Sequence, residues 1–328
     1  MMKEPRAAQE PAPRTGRYFL LLVLACLLFA GQGTAIKFLN RQLGPVQITF
    51  LPFCTATILL IPLLIRARRN SQAGRISWTD WRRFIIAGVG GQVVAQFGIV
   101  LGITRSLASN AAILTLLLPV ISAVLAAILL RERITRLRVA ALVIGLAGVL
   151  LLSAGSLRES SLLNLQYLTG NLFILAGLSG SAFYNVYSKG LFARFHPLEV
   201  LVFSYIAASL AGLPLAVWAE PFGLDVFRGF GWQSWLSFGY QAIVTYGAAM
   251  LVFFRALKHL DVTVASLSLY MLPAFGVVLA AIFLHERLSA LALCGGAIVL
   301  AATLLIVRYD QANTRPAPAA PEAGTASW

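Results

Sequence analysis

Apolar runs of about twenty residues recur along the chain at 17–39, 44–65, 82–102, 107–130 and 138–155, and again at 168–190, 197–219, 233–254, 262–284 and 290–308. A polar joint, Leu157–Asn164, separates the two groups of five. A helix rises about 1.5 Å per residue, so each run is long enough to cross a hydrocarbon core about 30 Å thick. The pattern predicts ten membrane-spanning helices in an all-α polytopic protein. They are numbered span 1 to span 10 below.

The two groups of five are related. Pro119-Val-Ile-Ser-Ala-Val-Leu-Ala-Ala-Ile-Leu-Leu-Arg-Glu132-Arg133 returns at 273–287 as Pro273-Ala-Phe-Gly-Val-Val-Leu-Ala-Ala-Ile-Phe-Leu-His-Glu286-Arg287, with nine of fifteen positions identical at an offset of 154. Chance in a chain this rich in Leu and Ala gives roughly one or two, so this is an internal repeat. Lys37 and Pro45 are matched in the same way by Lys189 and Pro197 at an offset of 152. The predicted organisation is a disordered tail at 1–16, one five-helix unit at 17–155, a linker at 156–167, a second unit at 168–308 and a disordered tail at 309–328. A signal-peptide reading of span 1 competes, but its counterpart at 168–190 is internal, so span 1 is read as retained.

Charge fixes the direction of travel. Twenty of the 26 Lys and Arg fall in the tails and in the loops that a cytoplasmic N-terminus would place inside, leaving six outside. Both termini are therefore expected in the cytoplasm of a multi-pass inner-membrane protein. An odd number of spans per unit then turns the second unit upside down. Inverted repeats are the architecture of alternating-access transporters, whose substrate sits between the halves near mid-membrane. The net charge of +14 is spread over short loops in a chain that is 59% hydrophobic with mean hydropathy +0.81, so it argues for topology control and against a nucleic-acid partner. Cys26, Cys54 and Cys294 all lie in apolar runs without metal spacing, and no metal or other cofactor is expected.

Ten spans in two halves, the Lys37…Pro45 segment and the doubled Pro-x4-Val-Leu-Ala-Ala-Ile-x-Leu-x-Glu-Arg resemble the EamA family of the drug/metabolite transporter superfamily across about 17–308. The resemblance implies export, or sometimes uptake, of small metabolites such as amino acids and their derivatives. The family often carries an Arg seven residues after the proline of the second span of each half. Here Pro52 and Ser204 hold those places, so no role of that Arg transfers.

A transport cavity needs polar groups at membrane depth. Gln92 and Gln96 lie one turn apart in span 3, and Gln241 and Thr245 do the same in its mirror, span 8. Gln32 and Thr34 in span 1, and Ser181, Tyr184 and Asn185 in span 6, form a second symmetric pair of polar patches. These residues form the candidate cavity, against the plainer alternative of hydrogen bonds that merely hold helices together. Tyr184, Tyr187, Tyr246 and Tyr270 are candidates to stack on an aromatic or cationic substrate, and packing explains any single one equally well. Pro119 and Pro273 are candidate hinges, since a proline frees a carbonyl and bends its helix. Lys37 and Lys189 are candidate mouth residues, with snorkelling to the interface as the alternative. Glu132 and Glu286 are candidate gates, paired with Arg133 and Arg287 or with neighbouring loops, and a purely structural role for them is the favoured alternative.

All twelve carboxylates fall in tails, loops or span ends, so proton coupling through a carboxylate at mid-membrane is not expected. The cavity candidates are amides, hydroxyls and phenols. They suit a small amphipathic zwitterion, with the lipid bilayer as the other partner. An uptake carrier is the near alternative. An intramembrane enzyme is remote: Gly177-Leu-Ser179-Gly180 offers a serine, but His196, His259 and His285 all sit at span ends. Gly98 and Gly102 give a small-residue stripe that packs helices within a monomer or between the monomers of a homodimer.

Overall fold

The computed structural model describes residues 15–40, 42–71, 74–106, 108–152, 165–220, 224–275 and 290–313, and among them it contains helices and their connections without a strand. Span 1 is Thr15–Ala30, continued past a turn at Gly31 by Gln32–Leu39. Span 2 is Pro45–Ser71, span 5 Arg136–Leu152, span 6 Leu165–Leu191 and span 7 Pro197–Ala219. Span 3 runs Trp78–Ile103 and span 8 Trp232–His259. Span 4 is divided into Ala108–Thr115 and Leu118–Leu129, and span 9 opens with Val262–Leu267 followed by a 3-10 turn, Ser268–Tyr270. Its far half, beyond Phe275, lies outside the described residues. Span 10 is Ala290–Asn313 and carries helix five residues past the boundary drawn at 308.

Spans 2 and 7 show that the halves are inverted. The Glu220 carboxylate at the end of span 7 accepts the backbone N–H groups of Val46 and Gln47 at the start of span 2 (3.2 and 3.1 Å). Thr57 meets Ser209 mid-helix at 3.1 Å, and Arg68 at the end of span 2 pairs with Glu199 at the start of span 7. The helices are antiparallel. Since 57 + 152 = 209, Thr57 and Ser209 are repeat mates touching across the pseudo-twofold axis. Phe53 and Tyr205, also 152 apart, pack beside them as tilted rings with centroids 4.3 Å apart. Span 3 lies antiparallel on span 6, and span 1 lies antiparallel on span 8, where Tyr240 donates to the Leu28 carbonyl (2.7 Å) and Tyr18 stacks on His259.

The span 3–span 6 contact is backbone on backbone. A Cβ added at Gly98 would lie 2.6 Å from the Gly177 backbone, and one at Gly102 would meet Ile174 and Gly170. The small-residue stripe therefore packs helices inside one chain. The outer surface is apolar: Leu20, Ile58, Ile128, Val143, Leu172, Leu210 and Trp218 are all exposed. The interior meanwhile buries Gln92, Asn185, Ser204, Gln241 and Thr245. This distribution is the reverse of a soluble domain and suits surroundings of lipid.

Two departures from regular helix come in symmetric pairs. Ile86–Val93 of span 3 and Tyr240–Ala249 of span 8 are π-helical, and their starts are 154 apart. Span 4 breaks at Leu116 and Leu117, two residues before Pro119, and span 9 tightens at Ser268–Tyr270, three residues before Pro273. Pro119 sits in the first turn of its second segment, where a missing N–H costs nothing. The expected bend at that proline is thus an interruption of the helix just ahead of it.

Candidate functional site

The interruptions and π segments converge on a cavity of about 470 Å3 between the halves. A π turn widens the helix and leaves carbonyls free of their usual partners. The Tyr246 carbonyl, in the span 8 π segment, accepts from the Tyr205 hydroxyl at 3.3 Å. The cavity wall is built from repeat mates. Phe29 and Ser181, and Gln32 and Tyr184, are 152 apart; Gln92 and Tyr246, Gln96 and Met250, and Leu118 and Leu272 are 154 apart, and all ten line it. Gln92 therefore pairs with Tyr246. The sequence-level match of Gln92 to Gln241 is corrected by the register of the π segments.

Part of the lining is polar. The Tyr246 hydroxyl donates to Gln96 Oε1 (3.4 Å), and Gln96 Nε2 donates to Gln92 Oε1 (3.2 Å). The Tyr184 hydroxyl lies 2.8 Å from Ser204 Oγ, which donates to the Leu201 carbonyl. Asn185 Oδ1 and Thr245 Oγ1 are buried and have no partner among the described residues. Leu118, Met250, Phe253, Leu269 and Leu272 add apolar side chains to the lining, and among the described residues that line it none is charged. A net-neutral molecule with a hydrogen-bonding head and an apolar body fits this surface.

Of the residues singled out in the sequence, Gln32, Gln92, Gln96, Ser181, Tyr184, Asn185, Thr245 and Tyr246 line the cavity. Three do not: Thr34 is exposed, Gln241 is fully buried behind the wall, and Tyr270 is buried with its ring against Gly145. Tyr187 stacks on Phe183 instead. Pro119 and Pro273 each adjoin a lining leucine. Tyr205 and the apolar lining went unmarked in the sequence, because a leucine facing a cavity reads like one facing lipid. Ser179 is exposed and donates to the Leu175 carbonyl, so it has no nucleophile geometry.

At the end of the molecule rich in Lys and Arg, ion pairs and hydrogen bonds tie the helix ends together. Glu132 accepts from the Val262 N–H (2.7 Å) and from the Thr263 N–H and hydroxyl, holding the start of span 9. Its charge partner is Arg138 at 3.7 Å, in place of the expected Arg133, and Arg138 also pairs with Asp261. Burial pushes the Glu132 carboxyl up, against the opposing pull of these N–H bonds. The Lys189 ammonium donates to the Leu257 and Lys258 carbonyls (both 2.9 Å) and so ties span 6 to the end of span 8. Its role here is a helix-end clamp; a place at a substrate mouth is not what the geometry gives it. Arg68–Glu199 and Arg194–Asp80 (3.1 Å) lie at the same end. Arg131, the residue before Glu132, takes a left-handed φ of 57°, which turns the chain so that Glu132 reaches span 9. The Lys37 side chain and all of Glu286 lie outside the described residues.

Residues 16–154 and 168–308 each match the profile of the EamA-like transporter family. The chain is 26% identical over 292 residues to an uncharacterized transporter of Archaeoglobus fulgidus, covering 88% of this chain and 98% of that one. It is 28% identical over 214 residues to a probable terminal-alkyne amino-acid exporter of Streptantibioticus cattleyicolor, covering 64% of this chain and 67% of that one. A protein crystal structure superposes with a TM-score of 0.74 at 21% identity, covering 92% of this chain and 99% of its own, and shares the fold.

Proposed function

The chain belongs to the EamA-like transporter family, and from that premise we propose that it exports small net-neutral amphipathic metabolites, amino acids or compounds derived from them, across the inner membrane. The observation that carries this reading is the cavity: amides, hydroxyls and phenols interspersed with leucines and phenylalanines, and no charge among the described lining residues. A zwitterion's head group gains hydrogen bonds there, while a net ion would leave its charge uncompensated. The amino-acid exporter among the relatives supports the same class. In this reading the units 17–155 and 168–308 rock about the axis at Thr57 and Ser209. The basic end, with both termini, faces the cytoplasm.

The test compares metabolites in the medium of cells that express the protein with those of cells that do not. Zwitterionic compounds with apolar side chains should accumulate outside. Enrichment of organic anions, or a fall in the medium with a rise inside the cells, would reject the substrate class or the direction respectively.

A further inference from the structure

Three serines beneath the cavity stand out. Ser122, Ser188 and Ser266 are fully buried, and among the described residues their hydroxyls have no partner. Other serines and threonines in these helices solve the problem locally, by donating to a carbonyl three or four residues back, as Ser204, Ser268 and Thr303 do. These three do not. A buried hydroxyl left unpaired is unfavourable, and alanine would pack as well without that cost. The orphaned groups therefore need an explanation other than packing in the closed form.

Their positions supply one. The serines stand on spans 4, 6 and 9, which pack against one another. In each of these helices the same order runs from the cavity towards the basic end. Span 4 passes from the lining residue Leu118 through Ser122 to Glu132. Span 6 passes from Asn185 through Ser188 to Lys189. Span 9 passes from Leu269 through Ser266 to Val262 and Thr263, which Glu132 holds. Each helix thus presents a cavity contact, then an unpaired hydroxyl, then a member of the clamp.

We propose that Ser122, Ser188 and Ser266 line the second half of the substrate's path, and that they bind its polar head when spans 4, 6 and 9 part at the basic end. Three hydroxyls that both donate and accept, with no charge among them, suit the same net-neutral head group as the cavity above. The clamp of Glu132, Arg138, Asp261 and Lys189 is what keeps this half closed. The inference rests on the transport reading, and its test uses no substrate.

Cysteine is introduced singly at positions 122, 188 and 266 of the full chain, after Cys26, Cys54 and Cys294 are replaced by alanine. The protein is reconstituted in liposomes, and its folding is checked by size exclusion. The probe is a charged, water-soluble methanethiosulfonate added on one side at a time. With the clamp intact, labelling should be slow. In Glu132→Gln or Lys189→Met it should be about tenfold faster at all three positions, and from the basic end alone. A Gln96→Cys control should be labelled from the opposite end. If a clamp variant does not fold, the same cysteines are followed for hours with the clamp intact; transient opening labels them and permanent burial does not. Unchanged labelling beside a reactive Gln96→Cys would overturn the proposal. Open serines in a protein that exports no zwitterion would instead strike the proposed substrate.

Discussion

Gln92, Gln96 and Tyr246 form a chain of hydrogen bonds that joins the first half of the molecule to the second. Gln96 is its weak point, because it alone serves the Tyr246 hydroxyl. Gln96→Leu should strand that hydroxyl at a cost of about 1–3 kcal/mol and lower substrate flux, with folded protein still present in the membrane. Flux equal to that of the parent would show that the chain merely holds helices together. Gln241 should behave in the opposite sense. Both of its amide atoms are buried without a partner, so Gln241→Leu removes an unpaired polar group from the interior. Its melting temperature in detergent should rise, by the equivalent of about 1–3 kcal/mol. A fall would reveal a partner at Gln241. The two glutamines look alike in the sequence, each near the middle of an apolar span, and only the helix register separates cavity wall from interior.

The helices themselves were legible because hydrocarbon sets their length and water sets their ends. What lies inside them was less so. A π segment keeps an ordinary helical composition and differs only in hydrogen-bond spacing, so Ile86–Val93 and Tyr240–Ala249 left no pattern to read. The interruptions of spans 4 and 9 were half legible through Pro119 and Pro273. The burial of Arg138 was not, since a basic residue at the start of a span reads as a topology signal, and here the side chain is 1% exposed. The glycine stripe of span 3 was visible, although its partner was not. With Gly98 against the Gly177 backbone, Gly98→Ala has no flexible side chain to displace and should cost about 1–3 kcal/mol. Thermal unfolding measures it, and an unchanged midpoint would mean that spans 3 and 6 separate more readily than their contact implies.

For the molecule as a whole, the inverted topology puts a positional demand on both ends. A reporter fused after Ala219 should be active outside the cell and one after Val307 inside, and finding both on one side would remove the inversion. The ends are also unequal. Residues 68 and 220 are repeat mates, as are 47 and 199, so the ion pair Arg68–Glu199 at one end corresponds to Glu220 on the Val46 and Gln47 N–H groups at the other. The contact between Thr57 and Ser209 carries the matter into the chain's history. In a pair of separate, identical subunits, a residue on the twofold axis meets its own copy, and any substitution there strikes twice. Joining the units in one chain lifted that restriction. Thr57 and Ser209, like Phe53 and Tyr205, now differ across the axis, and one of these four, Tyr205, forms part of the cavity wall. A one-sided binding surface is thus accessible by single substitutions at a position where a pair of identical subunits could change only in pairs.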